Sequence, residues 1–217
     1  MTKSQDWFSQ LRISYEIGEL NESDLHHDPF QQFGIWLNHA IEKQLSEPNA
    51  FVLSTVNPEH QPESRTVLLK SFDESGFIFF TNYASKKAQS ISKNSKVALN
   101  FLWLPIHRQV IIEGVAEKIS REDSENYFKT RPIASQLGAW TSPQSEVISD
   151  RALLEERAKK FSEQFKDEVP MPEFWGGYLV RPNLIEFWQG RPSRLHDRFR
   201  YTKNLESNTW LINRVAP

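Results

Sequence analysis

The sequence predicts a mainly β protein, an antiparallel barrel with helices packed outside it. Two observations support this fold class. Short runs rich in β-branched and aromatic residues recur along the 217 residues, and residues typical of turns separate most of them. No internal repeat, low-complexity segment or linker divides the chain. Antiparallel strands joined in this way favour a barrel, and the helical segments between them then lie outside it.

The composition is that of a globular protein with many aromatic residues. Charged residues make up 25% of the chain and the net charge is -2, which argues against a nucleic-acid-binding protein. The absence of cysteine excludes disulfides, thiolate nucleophiles and cysteine metal sites. Residues 1–10 lack the pattern of a signal peptide, and no apolar run has membrane-spanning length. These features favour a cytoplasmic protein that does not bind membranes.

The N-terminal part is polar, and we expect a short helix at residues 7–15 followed by a mobile connection. Residues 1–28 are therefore predicted to be a mobile segment, and residues 29–217 a single domain. Asp28 is a suitable N-cap for the first long helix, in which apolar residues recur at helical spacing from Phe30 to Leu45.

Strand patterns dominate the rest of the chain. We predict three helices in this part. The first covers residues 85–94 and the third covers residues 146–165. The second runs from the Ser120 cap to Thr130, and Pro132 ends it. The predicted strands are 51–56, 64–72, 77–81, 97–104, 109–119, 177–180, 184–188, 194–201 and 210–214.

The segment 194–201 is the most distinctive. Read as a strand, it places Arg194, His196, Arg198 and Arg200 on one face. Like charges on one strand face repel each other unless an anion lies over them. The segment therefore predicts an anion site, with a solvated arginine face as the alternative.

Two further groups predict phosphate sites. Residues 81–88 form a strand end that leads into a helix whose first turn carries two lysines, which oppose the helix dipole unless an anion binds there. Tyr127, Arg131 and Ser135 are spaced at i, i+4 and i+8, so they line one face if the helix continues past Arg131. A solvated lysine pair and an ordinary helix end are the alternatives.

The chain carries cations without a recognisable protein nucleophile. Arg65 and Lys70 bracket one strand, where strict alternation places them on opposite faces unless a bulge intervenes. The sequence has no phosphate-binding glycine loop, zinc-protease motif or serine-hydrolase motif. Phosphate-sized cation sites without a nucleophile favour a bound cofactor that performs the reaction.

Further short motifs complete the pattern. In chain order the motifs are RTVLLK at 65–70, FFTN at 79–82, SKK at 85–87, RP at 131–132, QLGAW at 136–140, QS at 144–145, FWGG at 174–177, EFWQG at 186–190, RLHDR at 194–198 and RVAP at 214–217. As an ordered set they resemble the pyridoxamine/pyridoxine 5′-phosphate oxidase family. The resemblance extends from about Arg12 to the last residue, and Lys86 stands where the family often has arginine.

The resemblance implies an FMN-binding split barrel that works as a homodimer, with FMN at the subunit interface. It further implies oxidation of pyridoxamine or pyridoxine 5′-phosphate to pyridoxal 5′-phosphate, with O2 as acceptor and H2O2 as product. Hydride would pass from substrate C4′ to flavin N5. The alternatives are an FMN-dependent NAD(P)H reductase and a non-catalytic flavin or pyridoxal phosphate carrier on the same barrel.

The resemblance also assigns roles to residues. Arg194 and His196 are implied as catalytic groups that position the substrate. The implied FMN-binding residues are Arg65, Thr66, Val67, Leu68, Leu69, Lys70, Phe80, Thr81, Lys86, Lys87, Gln109, Gln144, Ser145, Trp188 and Arg198. The implied substrate-binding residues are Arg12, Tyr15, Lys70, Tyr127, Arg131, Ser135, Arg194 and His196; no metal ligand is predicted.

Overall fold

The computed structural model describes residue 11 and residues 13–217. These residues form two compact units. The terminal unit comprises the described chain up to Pro48, together with Phe101–Ile111 and Leu184–Pro217. The central unit comprises Asn49–Asn100 and Ile112–Asn183. The predicted division into a mobile segment (1–28) and one domain (29–217) stays a prediction.

The described part of the chain contains nine strands, which belong to one sheet. Their bounds are β1 Ala50–Val56, β2 Pro62–Leu68, β3 Ser71–Asp73, β4 Gly76–Asn82, β5 Lys96–Trp103, β6 Arg108–Lys118, β7 Trp175–Gln189, β8 Asp197–Asn204 and β9 Thr209–Arg214. The strand order is β2-β1-β5-β6-β7-β4-β3, and β8 pairs with β7 and β9. The strands whose pairing is resolved are antiparallel to their neighbours.

The strands of the central unit bury alternate side chains. Phe51 and Leu53 on β1 are buried, whereas Val52 between them is exposed. Phe79 on β4 lies opposite Tyr178 on β7, and the two rings stack at 5.5 Å. This aromatic packing contributes to the core behind the site described below.

The helices of the central unit are α2 Lys86–Lys93, α3 Arg121–Thr130, α4 Ile133–Thr141 and α5 Ala152–Gln164. As predicted, Ser120 caps α3, because its side chain accepts a hydrogen bond from the amide of Asp123 at 2.9 Å. Phe128 on this helix belongs to a second buried cluster with Val169, Met171 and Trp175.

The terminal unit contains α1 Pro29–Glu42. The carboxylate of Asp28 accepts from the amide of Phe30 at 2.8 Å, which confirms the predicted cap. Trp36 on α1 is buried and meets Phe187 of β7 edge-on at 5.2 Å. Phe187 in turn lies opposite Phe199 of β8.

The structure corrects the predicted strands at two places. The segment 64–72 is two strands, β2 and β3, separated by Leu69 and Lys70. Segments 177–180 and 184–188 are one strand, β7. Pro182 falls between the stretch paired with β4 and the stretch paired with β8, so its missing N–H removes no bond from these two ladders.

The other corrections concern helices and the arginine segment. Pro132 ends α3 but also caps α4, which the sequence analysis missed. The helix predicted at 146–165 begins only at Ala152. The strand predicted at 194–201 begins at Asp197. Most of the helix predicted at 7–15 lies outside the described residues, and residues 13–15 are not helical.

No helix in the described part of the chain combines the length and the apolar character needed to cross a bilayer.

Candidate functional site

The central unit contains a cavity of about 690 Å³, lined by residues of β2, β4, α3, α4 and the start of β7. Small-molecule sites typically occupy roughly 300–1,000 Å³. Three cationic side chains, Lys70, Lys87 and Arg131, are among the lining residues. The cavity is therefore a candidate site for an anionic ligand.

Arg131 is the most informative residue of the cavity. Its guanidinium lies over the ring of Trp175 at 4.7 Å and over that of Phe128 at 5.4 Å. Its Nη1 is buried and has no hydrogen-bond partner among the described residues. Burial lowers the pKa of Arg131. A buried donor without an acceptor costs free energy, which indicates that an anionic ligand completes this site.

Tyr127 and Ser135 line the same cavity as Arg131. The helix does not continue past Arg131, because Arg131 has an extended backbone and Ser135 lies in the first turn of α4. The kink at Pro132 nevertheless keeps the three side chains on one cavity. Two hydroxyls and a guanidinium are suitable donors to a phosphate group.

An aromatic wall supports these donors. The ring of Tyr127 stacks on Phe80 at 3.9 Å, and Phe80 stacks on Trp175 at 5.2 Å. Arg121, at the start of α3, donates to the carbonyls of Met171 and Pro172, both at 2.9 Å. These bonds attach the loop before Trp175 to the helix that carries Tyr127.

Lys87 is a buried cation that no carboxylate neutralises in the described part of the chain. It is 8% exposed, and its Nζ donates to Thr81 Oγ1 at 3.1 Å, Ser85 Oγ at 3.2 Å and Gln144 Oε1 at 3.4 Å. Burial, and to a lesser extent the charge of Arg65, lower the pKa of Lys87 to about 8. An anion in the cavity would stabilise the ammonium form.

The remaining predicted residues of the central unit divide into two sets. Thr66, Val67, Leu68, Phe80, Thr81 and Gln144 line the cavity together with Lys70. Leu69 is buried, and its amide donates to the carbonyl of Asn49. Ser145 is exposed with a left-handed φ of 76°. Arg65 and Lys86 do not line the cavity and form ion pairs with Glu63.

In the terminal unit, Tyr15, Trp188 and His196 form an aromatic cluster. The ring of Tyr15 lies 5.8 Å from Trp188 and 5.7 Å from His196, and the latter two rings are 4.6 Å apart. Gly190 permits this packing, because a Cβ there would meet Tyr15 at 2.9 Å. The structure thus brings together three residues that the sequence analysis assigned to a site.

The protonation state of His196 follows from its contacts. Its Nδ1 accepts a hydrogen bond from the amide of Arg191 at 3.1 Å. Burial first, and the charge of Arg194 second, lower the pKa of His196. The neutral imidazole therefore carries its proton on Nε2 and is a donor at that atom.

Arg198 and Arg200 share one face of β8, as predicted, and an acid of the chain itself lies against both of them. The carboxylate of Glu186, whose side chain is 5% exposed, accepts from Arg198 at 2.7 and 2.9 Å and from Arg200 at 2.9 and 3.1 Å. A further nitrogen of Arg198 donates to the carbonyl of Ala216 at 2.8 Å. We call this group the Glu186 bridge.

The other predicted residues of the terminal unit lie apart from this bridge. Arg194 is exposed in a 3₁₀ turn, Pro192–Arg194, and does not belong to β8. Ser193 and Arg194 have left-handed φ values of 57° and 63°, which is strained for residues with a Cβ. Gln109 lies on β6. Arg12 lies outside the described residues.

The sequence analysis missed two carboxylates, although each had a detectable signal. Glu186 lies opposite Arg200 in the β7–β8 register. The alternation of side chains along residues 186–190 therefore puts Glu186 on the sheet face that carries Arg198 and Arg200. Glu63 is two residues before Arg65 on β2 and therefore shares its face. In both cases the cations were interpreted as ligand sites without regard to the acid that lies next to them in the fold.

Comparisons with known proteins give a consistent result. The sequence model of the family described as pyridoxamine 5′-phosphate oxidase matches residues 37–165, and that of the pyridoxine 5′-phosphate oxidase C-terminal dimerisation region matches residues 175–217. Proteins named pyridoxine/pyridoxamine 5′-phosphate oxidase are 54% identical over 209 residues in Crocosphaera subtropica and 55% identical over 208 residues in Rippkaea orientalis. Each alignment covers 95% of this chain and 98% of the relative.

Solved structures show the same fold. PhzG from Burkholderia lata, in complex with tetrahydrophenazine-1-carboxylic acid, has a TM-score of 0.86 and 25% identity, covering 93% of this chain and 99% of PhzG. An FMN-binding protein from Nostoc punctiforme related to pyridoxamine 5′-phosphate oxidase has a TM-score of 0.70 and 17% identity, covering 89% of this chain and 100% of its own. The predicted mainly β split barrel with peripheral helices is confirmed.

Proposed function

The chain belongs to the pyridoxamine 5′-phosphate oxidase family, and on that premise we propose that it converts pyridoxine or pyridoxamine 5′-phosphate to pyridoxal 5′-phosphate. The cofactor is FMN and the acceptor is O2, which is reduced to H2O2. Oxidation of the alcohol yields the aldehyde directly, whereas oxidation of the amine also consumes water and releases ammonia.

The observation that carries this proposal is the buried Nη1 of Arg131, which has no hydrogen-bond partner in the described part of the chain and belongs to a cavity with further cations. We assign Lys70, Tyr127, Arg131 and Ser135 to the substrate phosphate. A charge-assisted hydrogen bond contributes roughly 1.5–3 kcal/mol. Two or three such bonds would fix the phosphate and leave the ring contacts to set the orientation of the substrate.

The residues around Lys87 fit the phosphate of FMN. In the described residues its ammonium is held by neutral oxygens only, and burial lowers its pKa to about 8, which supports an anion beside it. We therefore assign Lys87, with Arg65 and Lys86, to the flavin phosphate. Thr66, Val67, Leu68, Leu69, Lys70, Phe80, Thr81, Gln109, Gln144, Ser145, Trp188 and Arg198 are assigned to FMN on the family resemblance.

The chemistry that FMN supplies when bound is acceptance of a hydride from substrate C4′ at N5 and return of the electrons to O2. The chain supplies binding and orientation. The amide of Arg191 holds neutral His196 in the tautomer with its proton on Nε2, so that Nε2 would be the donor toward the substrate. The strained φ of Arg194 supports a functional role for its turn, since such conformations persist mainly at functional sites.

Two further parts of the proposal concern assembly and closure. The match to a C-terminal dimerisation region supports a homodimer. The position of FMN at the subunit interface is proposed on the family resemblance alone. Arg12 and Tyr15 are assigned to a segment that closes over the substrate. The packing of Tyr15 against Trp188 and His196 supports this role for Tyr15.

The test is O2 consumption by the FMN-reconstituted protein on addition of pyridoxine 5′-phosphate. The proposal predicts O2 uptake with equal formation of pyridoxal 5′-phosphate and H2O2. Bound flavin without uptake would reject it. Bleaching of that flavin by NADH would then indicate a reductase, and a lack of bleaching would indicate a carrier. Arg194→Ala should keep the bound flavin and lose most turnover.

A further inference from the structure

Glu63 on β2 joins two cations that the proposed function assigns to the flavin phosphate. Its carboxylate forms ion pairs with Arg65 Nη2 at 3.3 Å and with Lys86 Nζ at 2.6 Å, and Ser90 Oγ donates to it at 3.2 Å. The Glu63 side chain is only 11% exposed. The contact with Lys86 lowers the pKa of Glu63, so the acid is ionised at neutral pH.

The donors that Glu63 occupies are those that a phosphate needs. Arg65 Nη1 is directed inward, to Thr55 Oγ1 at 2.7 Å and to the carbonyls of Leu53 and Glu63, both at 3.3 Å. Its Nη2 donates to the Glu63 carboxylate. Within the described residues, Glu63 is also the carboxylate partner of both Arg65 and Lys86.

This cation pair is electrostatically connected to the cavity. The charge of Arg65 contributes to the lowered pKa of Lys87, which lines the cavity. Thr66 and Lys87, the chain neighbours of Arg65 and Lys86, line the cavity, so the two cations lie next to it. The arrangement places one acid between two cations beside the cavity.

We propose that Glu63 determines the affinity of this chain for the flavin phosphate, because it occupies Arg65 and Lys86 in the phosphate-free protein and competes with the phosphate for them. The inference rests on the proposed function, which places the phosphate at these residues. A phosphate must take Arg65 Nη2 and Lys86 Nζ from Glu63 or share them, and it is repelled by the ionised carboxylate in either case. The ammonium of Lys86 is a point charge, whereas the guanidinium of an arginine is a planar group with several fixed donors. Lys86 is therefore less able to bind the Glu63 carboxylate and a phosphate at the same time.

The experiment compares FMN with riboflavin, which lacks the phosphate, on flavin-free protein. Flavin fluorescence during titration gives the Kd of each ligand for the wild type and for Glu63→Gln. We expect Glu63→Gln to lower the Kd of FMN about fivefold, the effect typical of one partly exposed charge pair, and to leave the Kd of riboflavin unchanged. Glu125→Gln, which removes the acid of the exposed Lys129–Glu125 pair, is the matched control and should change neither Kd.

The possible results separate this inference from the proposed function. A wild type that binds FMN no better than riboflavin would overturn both. A wild type that prefers FMN, with a Glu63→Gln variant that binds FMN equally or more weakly, would overturn the competition and leave the proposed function standing. If Glu63→Gln does not fold, Glu63→Asp retracts the charge by one methylene and should lower the Kd of FMN in the same direction, whereas an unchanged Kd would reject the inference.

Discussion

The Glu186 bridge and the cavity cations differ in what neutralises them. In the bridge, Arg198 and Arg200 are adjacent on one strand face, and a buried carboxylate accepts two hydrogen bonds from each. In the cavity, Arg131 has a buried nitrogen without a partner in the described residues, and Lys87 contacts only neutral oxygens there.

This comparison shows that the position of the counterion, more than the density of cations, indicates a ligand site. A cation whose acid is supplied by the fold contributes to stability, whereas a buried cation without an acid gains its partner from a ligand. The Arg65–Glu63–Lys86 group is intermediate, because its acid is present but shared between two cations.

The largest expected effect is that of Arg131→Met. The apolar side chain fills a similar volume but cannot bind phosphate, so we expect kcat/KM for pyridoxine 5′-phosphate to fall about 100-fold, mainly through KM, as expected for the loss of one or two charge-assisted bonds. The free energy of unfolding should stay equal or rise, since an uncompensated buried charge is removed. Steady-state kinetics and urea denaturation measure the two effects.

The control for this variant is Arg151→Met, which removes an arginine that is 88% exposed and paired with Glu155 on α5. It should change neither quantity. If KM were unaltered in Arg131→Met, the cavity would not be the phosphate site.

Glu186→Gln should show the opposite pattern. Loss of the carboxylate leaves two adjacent arginines without their acid, so we expect the free energy of unfolding to fall by about 2 kcal/mol, less than for a fully buried pair because the arginines are partly exposed. Urea denaturation measures this effect. Glu155→Gln, whose ion pair is exposed, should cost less than about 0.5 kcal/mol. Equal effects of the two variants would show that the bridge does not stabilise the fold.

A pH series tests the cavity lysine. An anion binds best to charged Lys87, whose pKa of about 8 lies below the ordinary value. The Kd of FMN should therefore be steady between pH 7 and about 8 and rise above pH 8, by at most about tenfold per unit. The Kd of riboflavin should lack this rise. A parallel response of the two ligands would mean that Lys87 does not face the phosphate.

The smallest expected effect is that of Ser135→Ala. Loss of one hydroxyl donor should raise KM for pyridoxine 5′-phosphate about fivefold and leave kcat unchanged, as expected for a single hydrogen bond. Ser142→Ala, at the other end of α4 on the same cavity, is the control and should have no effect. A decrease in kcat at constant KM would place Ser135 at the reacting part of the substrate instead.

Elements specified by local sequence were predicted well. The caps of α1 and α3 depend on Asp28 and Ser120, whose side chains bond to amides two or three residues away. Most strands were predicted because one face is buried, which imposes alternation on the sequence. These signals need no knowledge of distant residues.

The errors arose where distant residues decide the outcome. Pro182 lies within β7 and Pro132 is the N-cap residue of α4, since a proline is tolerated where its N–H is not needed and the backbone accepts its fixed φ. Likewise, the strand register decides that Glu186 meets Arg200. The convergence of Tyr127, Arg131 and Ser135 on one cavity was predicted. The burial of Arg131 Nη1 without a hydrogen-bond partner in the described residues depends on packing against Trp175 and could not be predicted.

The most direct test of this account is the ratio of kcat/KM for pyridoxine 5′-phosphate to that for unphosphorylated pyridoxine, measured by O2 consumption in the wild type and in Arg131→Met. The account predicts that the wild type prefers the phosphorylated substrate by about a thousandfold or more, since two or more charge-assisted bonds depend on the phosphate, and that Arg131→Met loses most of this preference. Equal kcat/KM values for the two substrates in the wild type, or a preference that Arg131→Met retains in full, would contradict it.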